Sequence, residues 1–355
     1  MRTPRRILLV RNDGIGDLVC TLPALAAVRR HFLQAHVAAL ASPAAAPLLA
    51  GSRYVDESIV DDPTESPWQL ARRLRPMRFD AAVVFNTNTR GALAVWLAGI
   101  RQRVCWAYKP AGLLFGNRRV ALHRSHPPIH ETDFTLAFAQ RLGAVAEAAD
   151  RQVRLDIDPV MRDRVAARIE RQLGSAGPLF GVHPGNNRGG FNWPEAHYAR
   201  LIGQLSRHGR VMVTGSGDQR PLLERIESQL GDAARERVGF FCDFQLQELA
   251  AAISLQTALT VASTGPMHVA GVVGTPAVAL FSPHPAHSPK KWAPLGSGHT
   301  LLVAPLEPGE DPRVSREQAP SVMARIDVDQ VLQANLKYVR QNLAAAGRTA
   351  RAKAS

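Results

Sequence analysis

At 355 residues, with 46% hydrophobic and 21% charged residues, the chain is expected to form about two soluble domains, each able to bury a core. No apolar stretch reaches the roughly 18 residues of a membrane span, and three scattered cysteines (Cys20, Cys105, Cys242) suggest neither a disulfide framework nor a metal knuckle. A formal charge of +13 calls for an anionic partner, either a phosphorylated substrate, anionic lipid headgroups or nucleic acid, although Arg-rich coding bias explains part of the excess. Nucleic acid is the weakest of the three, because no recognition-helix motif or basic segment interleaved with aromatics occurs.

The basic N-terminus and its short apolar run do not make a secretion signal, which points to the cytoplasm. Residues 7–10 (Ile-Leu-Leu-Val) instead read as a buried parallel strand, with Arg11-Asn-Asp-Gly-Ile-Gly-Asp17 as the loop at its carboxyl end. Leu18, Leu22, Leu25, Val28 and Phe32 then share one helical face. Gly14 and Gly16 permit close approach of backbone to a ligand, while Asp13 and Asp17 bring carboxylates to the same mouth. Asp17 also suits a plain helix cap. Ligands of open α/β sheets bind beyond the carboxyl ends of strands, so the location favours function.

Further strands are expected at 37–40, 55–60, 80–85 and 103–107, with helices at 44–49, 68–75, 91–99 and 131–142. The β/α alternation argues a doubly wound domain. Residues 108–130 lack periodicity and carry Lys109, Arg118, Arg119, His123, Arg124 and His126. They are expected to form a long surface loop, either merely solvated or serving as a clamp for a phosphorylated acceptor or a membrane surface.

Asp158-Pro159 opens an Arg-rich helix into a second half. There, strands are expected at 178–182, 210–214, 238–242, 259–262 and 278–281, and helices at 195–206, 220–230 and 246–253. Between the last two strands lies Ser263-Thr-Gly-Pro-Met-His268, a strand, tight turn and helix in outline. Gly265 can take angles closed to other residues, and Pro266 sets the first helical turn where its missing N–H costs nothing. Amides at such a helix start form an anion site. His268 is either a further donor to a phosphate oxygen or a helix-start histidine bonded to a neighbouring loop. Beyond residue 281 a proline-rich loop, a helix at 327–343 and a frayed or disordered tail are expected.

Arg11-x-Asp13-x-Ile15-Gly16-Asp17, Leu22-Pro23-Ala24-Leu25, His183-Pro-Gly185 before Trp193-Pro194, the Gly215 turn, Ser263-Thr-Gly-Pro-x-His268 and Gly274-x-Pro276 occur in that order. Together with Met323-x-x-Ile326-x-x-x-x-Val331, they resemble glycosyltransferase family 9, the ADP-heptose:lipopolysaccharide heptosyltransferases, across essentially the whole chain. The resemblance implies an α/β GT-B architecture of two Rossmann-like doubly wound domains facing across a cleft. An acceptor domain at 1–157 would precede a nucleotide-sugar domain at 158–326, a helix at 327–346 crossing back to the first domain, and a disordered tail at 347–355.

It further implies an inverting transfer of heptose or a related sugar from a nucleotide diphosphate donor, ADP-heptose above all, which is a substrate and not a cofactor. No metal is required. The acceptor would be a phosphorylated, lipid-linked saccharide of the lipopolysaccharide core or another surface saccharide, met in the cytoplasm or at the inner face of the membrane. Inversion needs a carboxylate to take the acceptor proton, a role implied for Asp17 with Asp13 beside it. Fixed donors must meet the diphosphate charge. The donor side is expected to comprise His183, Gly185, Asn186, Arg188, Gly215, Asp218, Gln219, Phe244, Ser263, Thr264, Gly265, Pro266 and His268. The acceptor side comprises Arg11, Gly16, Lys109, Arg118 and Arg119.

Three positions depart from the family pattern, which usually has Asp at Ser263, Lys at Phe191 and an acid at Gln219. Arg188 and Asp218 stand close enough in sequence to substitute. Otherwise the donor is a different nucleotide sugar, the acceptor is a protein, or the chain is a non-catalytic sugar-nucleotide-binding protein.

Overall fold

Five of the six residues of β1 (Arg6–Arg11) are buried, which makes this strand the axis of its sheet. It runs parallel to β2 (His36–Ala41) on one side and to β4 (Ala81–Val84) on the other. A strand covered on both faces reads as an unbroken apolar run, and Ile7 to Val10 obey that rule. The computed structural model describes residues 3–86, 89–123, 128–186 and 191–354, the last ten of these by backbone alone. The chain divides into two compact units, Met1–Asp156 and Ile157–Ser355.

In the first unit β3 (Glu57–Val60), β5 (Gln102–Trp106) and β6 (Arg118–Val120) complete a parallel sheet of order β3-β2-β1-β4-β5-β6. The helices α1 (Ile15–His31), α2 (Pro67–Leu74), α3 (Thr89–Leu97), α4 (Pro110–Phe115) and α5 (Glu131–Leu142) connect or cover these strands. Leu8, Val10, Ala38, Leu40, Leu70 and Val95 belong to one core cluster of this unit.

The second unit opens with α6 (Pro159–Leu173), capped by the Asp158 side chain on the Val160 amide. Its strands are β7 (Leu179–His183), β8 (Arg210–Thr214), β9 (Val238–Phe241), β10 (Ala258–Ala262), β11 (Ala277–Phe281) and β12 (Thr300–Val303). They are ordered β12-β11-β10-β7-β8-β9, so both units use the same doubly wound topology. Helices α7 (Glu195–Leu205), α8 (Arg220–Glu227), α9 (Asp232–Arg235), α10 (Leu246–Ser254), α11 (Gly265–Val273), α12 (Pro289–Trp292) and α13 (Ala319–Met323) precede a final α14 (Val328–Ala354). Buried Asn335 of α14 donates to Thr260 Oγ1 of β10 at 2.8 Å, and the Tyr338 hydroxyl donates to the Gly298 carbonyl. The expected α/β class of GT-B type is therefore the observed one.

Four local expectations need correction. The stretch 108–130 is not one long loop: Pro110 starts and Gly116 ends α4, and a three-residue edge strand, β6, follows. Pieces this short carry no detectable period; Arg124 and His126 lie outside the described residues. The proline-rich segment holds α12, whose first turn suits Pro289. β12 was missed because alternate residues of this edge strand are exposed. Finally, the helix continues past Leu343 to Ala354 where a disordered tail was expected, through residues rich in Ala, Arg and Lys.

Candidate functional site

In each unit the strand order reverses direction beside the first strand, between β1 and β4 and between β7 and β10. Loops at the carboxyl ends of such strands surround the crevice where open α/β sheets take ligands. The candidate residues read from the sequence fall mainly at these two places.

At the first, Arg11 ends β1 and is almost fully buried. Its Nη2 donates to Asp17 Oδ1 at 2.7 Å and to Glu131 Oε1 at 2.9 Å, while its Nε lies 2.9 Å from Asp13 Oδ1. One guanidinium thus holds three carboxylates. Burial works against the Arg11 charge, but Asp13, Glu131 and Asp17 outweigh it and hold its pKa above the ordinary range. Glu131 is inaccessible at the start of α5, whereas the Asp17 and Asp13 side chains are 25% and 33% exposed, so only the latter two can meet a substrate.

Asp17 does act as the helix cap that its position allows. Its Oδ2 accepts the Gly14 amide at 3.2 Å, with Gly16 beside it in the first turn of α1. Capping and exposure coexist because each oxygen has its own donor and one edge of the carboxylate still meets solvent. Burial pushes the Asp13 carboxyl up to about 6, against the pull of Arg11 and aided by the charge of Asp17. An acid in that range suits proton transfer near neutral pH.

The same strand ends carry a polar cluster that sequence reasoning missed. Asn12 donates to Asp61, at the end of β3, and accepts from Asn86, at the end of β4. Arg90 clamps Asp61 through two guanidinium nitrogens at 2.9–3.0 Å. Asn12 stands between two residues that were chosen, and Asn86 and Arg90 bound the short segment between the strand expected at 80–85 and the helix expected at 91–99. Asp61 and Glu131 gave no such signal, since their partners lie 49 and 120 positions away.

Arg118 and Arg119 do not join this group. β6 lies at the sheet edge, three places from β1. Arg118 donates to the Leu142 carbonyl, and Arg119 donates to the carbonyls of Gly112 and Leu113. Lys109 is exposed, with Nζ 5.8 Å from the Trp106 ring centroid.

At the second place, β10 ends and Thr264 is the N-cap of α11, with Gly265 and Pro266 as the first helical residues. Ser263 and Thr264 are only partly buried as residues, yet the Thr264 Oγ1 atom is enclosed and has no hydrogen-bond partner among the described residues. A buried hydroxyl left in that state costs about 1–3 kcal/mol unless something bonds it. His268 is buried one turn on, its ring edge-on to Trp292 at 6.1 Å.

His183 ends β7 and meets Thr214 Oγ1 of β8 through Nδ1 at 2.9 Å. Burial lowers its pKa to about 4, so it is neutral near pH 7. Gly185 follows, then partly buried Asn186. A Cβ at Gly185 would lie 2.2 Å from the Gln219 amide carbon, so any side chain there would push the Gln219 side chain aside. Gln219 in turn accepts the Ser216 amide at 3.0 Å, beyond Gly215, with exposed Asp218 beside it. Phe244 stacks on Phe241 at 5.4 Å beneath the Arg168 guanidinium. Phe191, where the family pattern has Lys, is buried edge-on to the rings of His284 and His287. Arg188 lies outside the described residues.

Some motif residues serve packing. Trp193 is buried and donates from Nε1 to the Ile326 carbonyl at 3.0 Å, and Met323, Ile326 and Val331 are buried in the same core.

The family model for glycosyltransferase family 9 (heptosyltransferase) matches residues 67–319, a span that begins after the β1–α1 loop. Lipooligosaccharide heptosyltransferase 2 of Haemophilus influenzae is 26% identical over 313 residues, covering 83% of this chain and 88% of that protein. Among solved structures, ADP-heptose LPS heptosyltransferase II of E. coli superposes with a TM-score of 0.79 at 24% identity, covering 95% of this chain and 99% of that one. A glycosyltransferase family 9 structure from Veillonella parvula gives a TM-score of 0.82 at 19% identity, covering 95% and 98%.

Proposed function

This chain belongs to glycosyltransferase family 9 (heptosyltransferase), and from that premise we propose that it transfers heptose, with inversion, from a nucleotide diphosphate donor to a phosphorylated, lipid-linked saccharide. The activity belongs to lipopolysaccharide biosynthesis on the cytoplasmic side of the membrane. Asp17 takes the proton of the attacking hydroxyl, while the first-turn amides of α11, the Thr264 hydroxyl and His268 meet the charge growing on the departing diphosphate. ADP-heptose is the donor of first choice.

The Asp17 constellation carries this reading. A carboxylate fixed by one guanidinium and one amide remains open on one edge, as a base that must hold its aim and still reach an alcohol requires. The Thr264 hydroxyl, enclosed at a helix start with no hydrogen-bond partner among the described residues, supports the donor side.

The test is transfer from ADP-heptose to a lipid-A-core acceptor. Asp17→Asn is expected to lower kcat on the order of 10²–10⁴-fold with donor affinity nearly unchanged, and Asp13→Asn is the control for the neighbouring acid. A large loss of donor binding in Asp17→Asn would remove it from the base role. A second reading, another nucleotide-sugar donor, draws on Phe191 and Gln219, whose side chains are committed to ring and loop contacts and supply no charge. Thermal shift with a panel of nucleotide sugars separates the two: the true donor raises Tm in proportion to ln(1 + [L]/Kd). No shift with any of them favours a non-catalytic role.

A further inference from the structure

Between Asp80 and Glu131 the sequence holds no acidic residue but seven Lys or Arg. This stretch builds α3, β5, α4 and β6, one flank of the first sheet. It also contains Trp96, Tyr108, Leu113 and Leu114, four of the twelve large apolar or aromatic side chains exposed among the described residues, at 47%, 47%, 53% and 72%. They are neighbours. The Trp96 ring lies 5.8 Å from Phe115, which adjoins Leu114, and Tyr108 stacks on His123 at 4.2 Å just before α4.

The leucines are held outward by the backbone. A Cβ at Gly112 would lie 1.7 Å from the Trp106 carbonyl, so α4 sits tight against β5 and turns Leu113 and Leu114 to solvent. Arg119 pins the same turn through the Gly112 and Leu113 carbonyls, and exposed Arg101 and Lys109 flank it.

We propose that this face of the first unit docks on an anionic lipid bilayer, with Leu113, Leu114 and Trp96 entering the acyl boundary and Arg101, Lys109 and Arg119 at the level of the phosphates. Aromatic rings and aliphatic tips on a basic segment without acidic residues match an interface that is apolar inside and negative outside. A second copy of the same face would bring like charges together, and a protein partner of mixed charge would leave the basic segment unmatched. This inference does not depend on the transferase reading, because it requires neither donor nor acceptor.

The test is flotation of the full chain with phosphatidylcholine vesicles, with and without phosphatidylglycerol, at low and high salt. The wild type is expected to float with the anionic vesicles, less so at high salt. The double variant Leu113→Ser/Leu114→Ser should partition at least about tenfold more weakly, with an unchanged melting curve by circular dichroism. Failure of the wild type to float, or equal flotation of the variant, overturns the proposal. So does concentration-dependent dimerisation without vesicles that the double variant abolishes, since the face would then belong to a second copy.

Discussion

Glu131 cannot reach a substrate, yet it shares the Arg11 nitrogen that holds Asp17. Replacing it with Gln leaves an acceptor for Nη2 but turns more of the Arg11 charge toward the two accessible acids. Glu131→Gln is expected to lower stability by about 2 kcal/mol, the scale of a charged hydrogen bond. It should also lower kcat without changing the donor KM. An intact kcat would leave Glu131 with packing alone. His183 gives a pH prediction. Its folded pKa of about 4 lies below the ordinary 6.5, so the unfolded chain binds the proton more tightly. The stability it confers by staying neutral is complete above pH 6.5 and is lost as pH falls towards 4, a change of up to about 3 kcal/mol. In His183→Gln the Tm should change less across that interval, which differential scanning calorimetry reads directly. At this scale the sequence identified Asp13, Asp17 and the Ser263 to His268 turn, because strand ends announce themselves by a break in an apolar run. It was silent on Asp61 and Glu131, because pairing across 49 and 120 positions has no local signature.

At the scale of elements, α11 begins under a hydroxyl that nothing in the described protein bonds. Thr264→Val keeps shape and removes that oxygen. The expected outcome is unchanged or slightly raised thermal stability, since an unsatisfied group disappears, together with nucleotide affinity weaker by about 1–3 kcal/mol in isothermal titration. A fall in stability with unchanged affinity would make Thr264 a cap and nothing more. Most helices and strands were legible because each is long enough to show its period. The exceptions, α4, β6, α9, α12, β12 and α13, span three to six residues each. Pro23 lies inside α1, yet a helix was still the right expectation, since Leu18 to Leu25 are all buried and packing outweighs the missing N–H. Trp193 carried the family resemblance and turned out to anchor a core segment, a reminder that a motif records packing as well as chemistry.

At the scale of the whole chain, charge is unevenly placed. Met1–Asp156 carries 21 Lys or Arg against 13 Asp or Glu, a net of +8, and its acid-free stretch between Asp80 and Glu131 supplies seven of those positive charges. Most of the first unit's excess therefore comes from one flank, which composition alone did not reveal. The repeated strand order was also beyond sequence reading: alternation predicts parallel sheets, but which strands pair is decided by contacts between distant segments. The link from Asn335 to Thr260 has a temporal consequence. β10 leads directly into the α11 turn, and Asn335, which bonds that strand, is synthesised 75 residues after Thr260. During translation the turn remains without its final brace until the ribosome has released residues beyond Tyr338, so a nascent chain completes its first sheet well before it is ready to hold a ligand at the second.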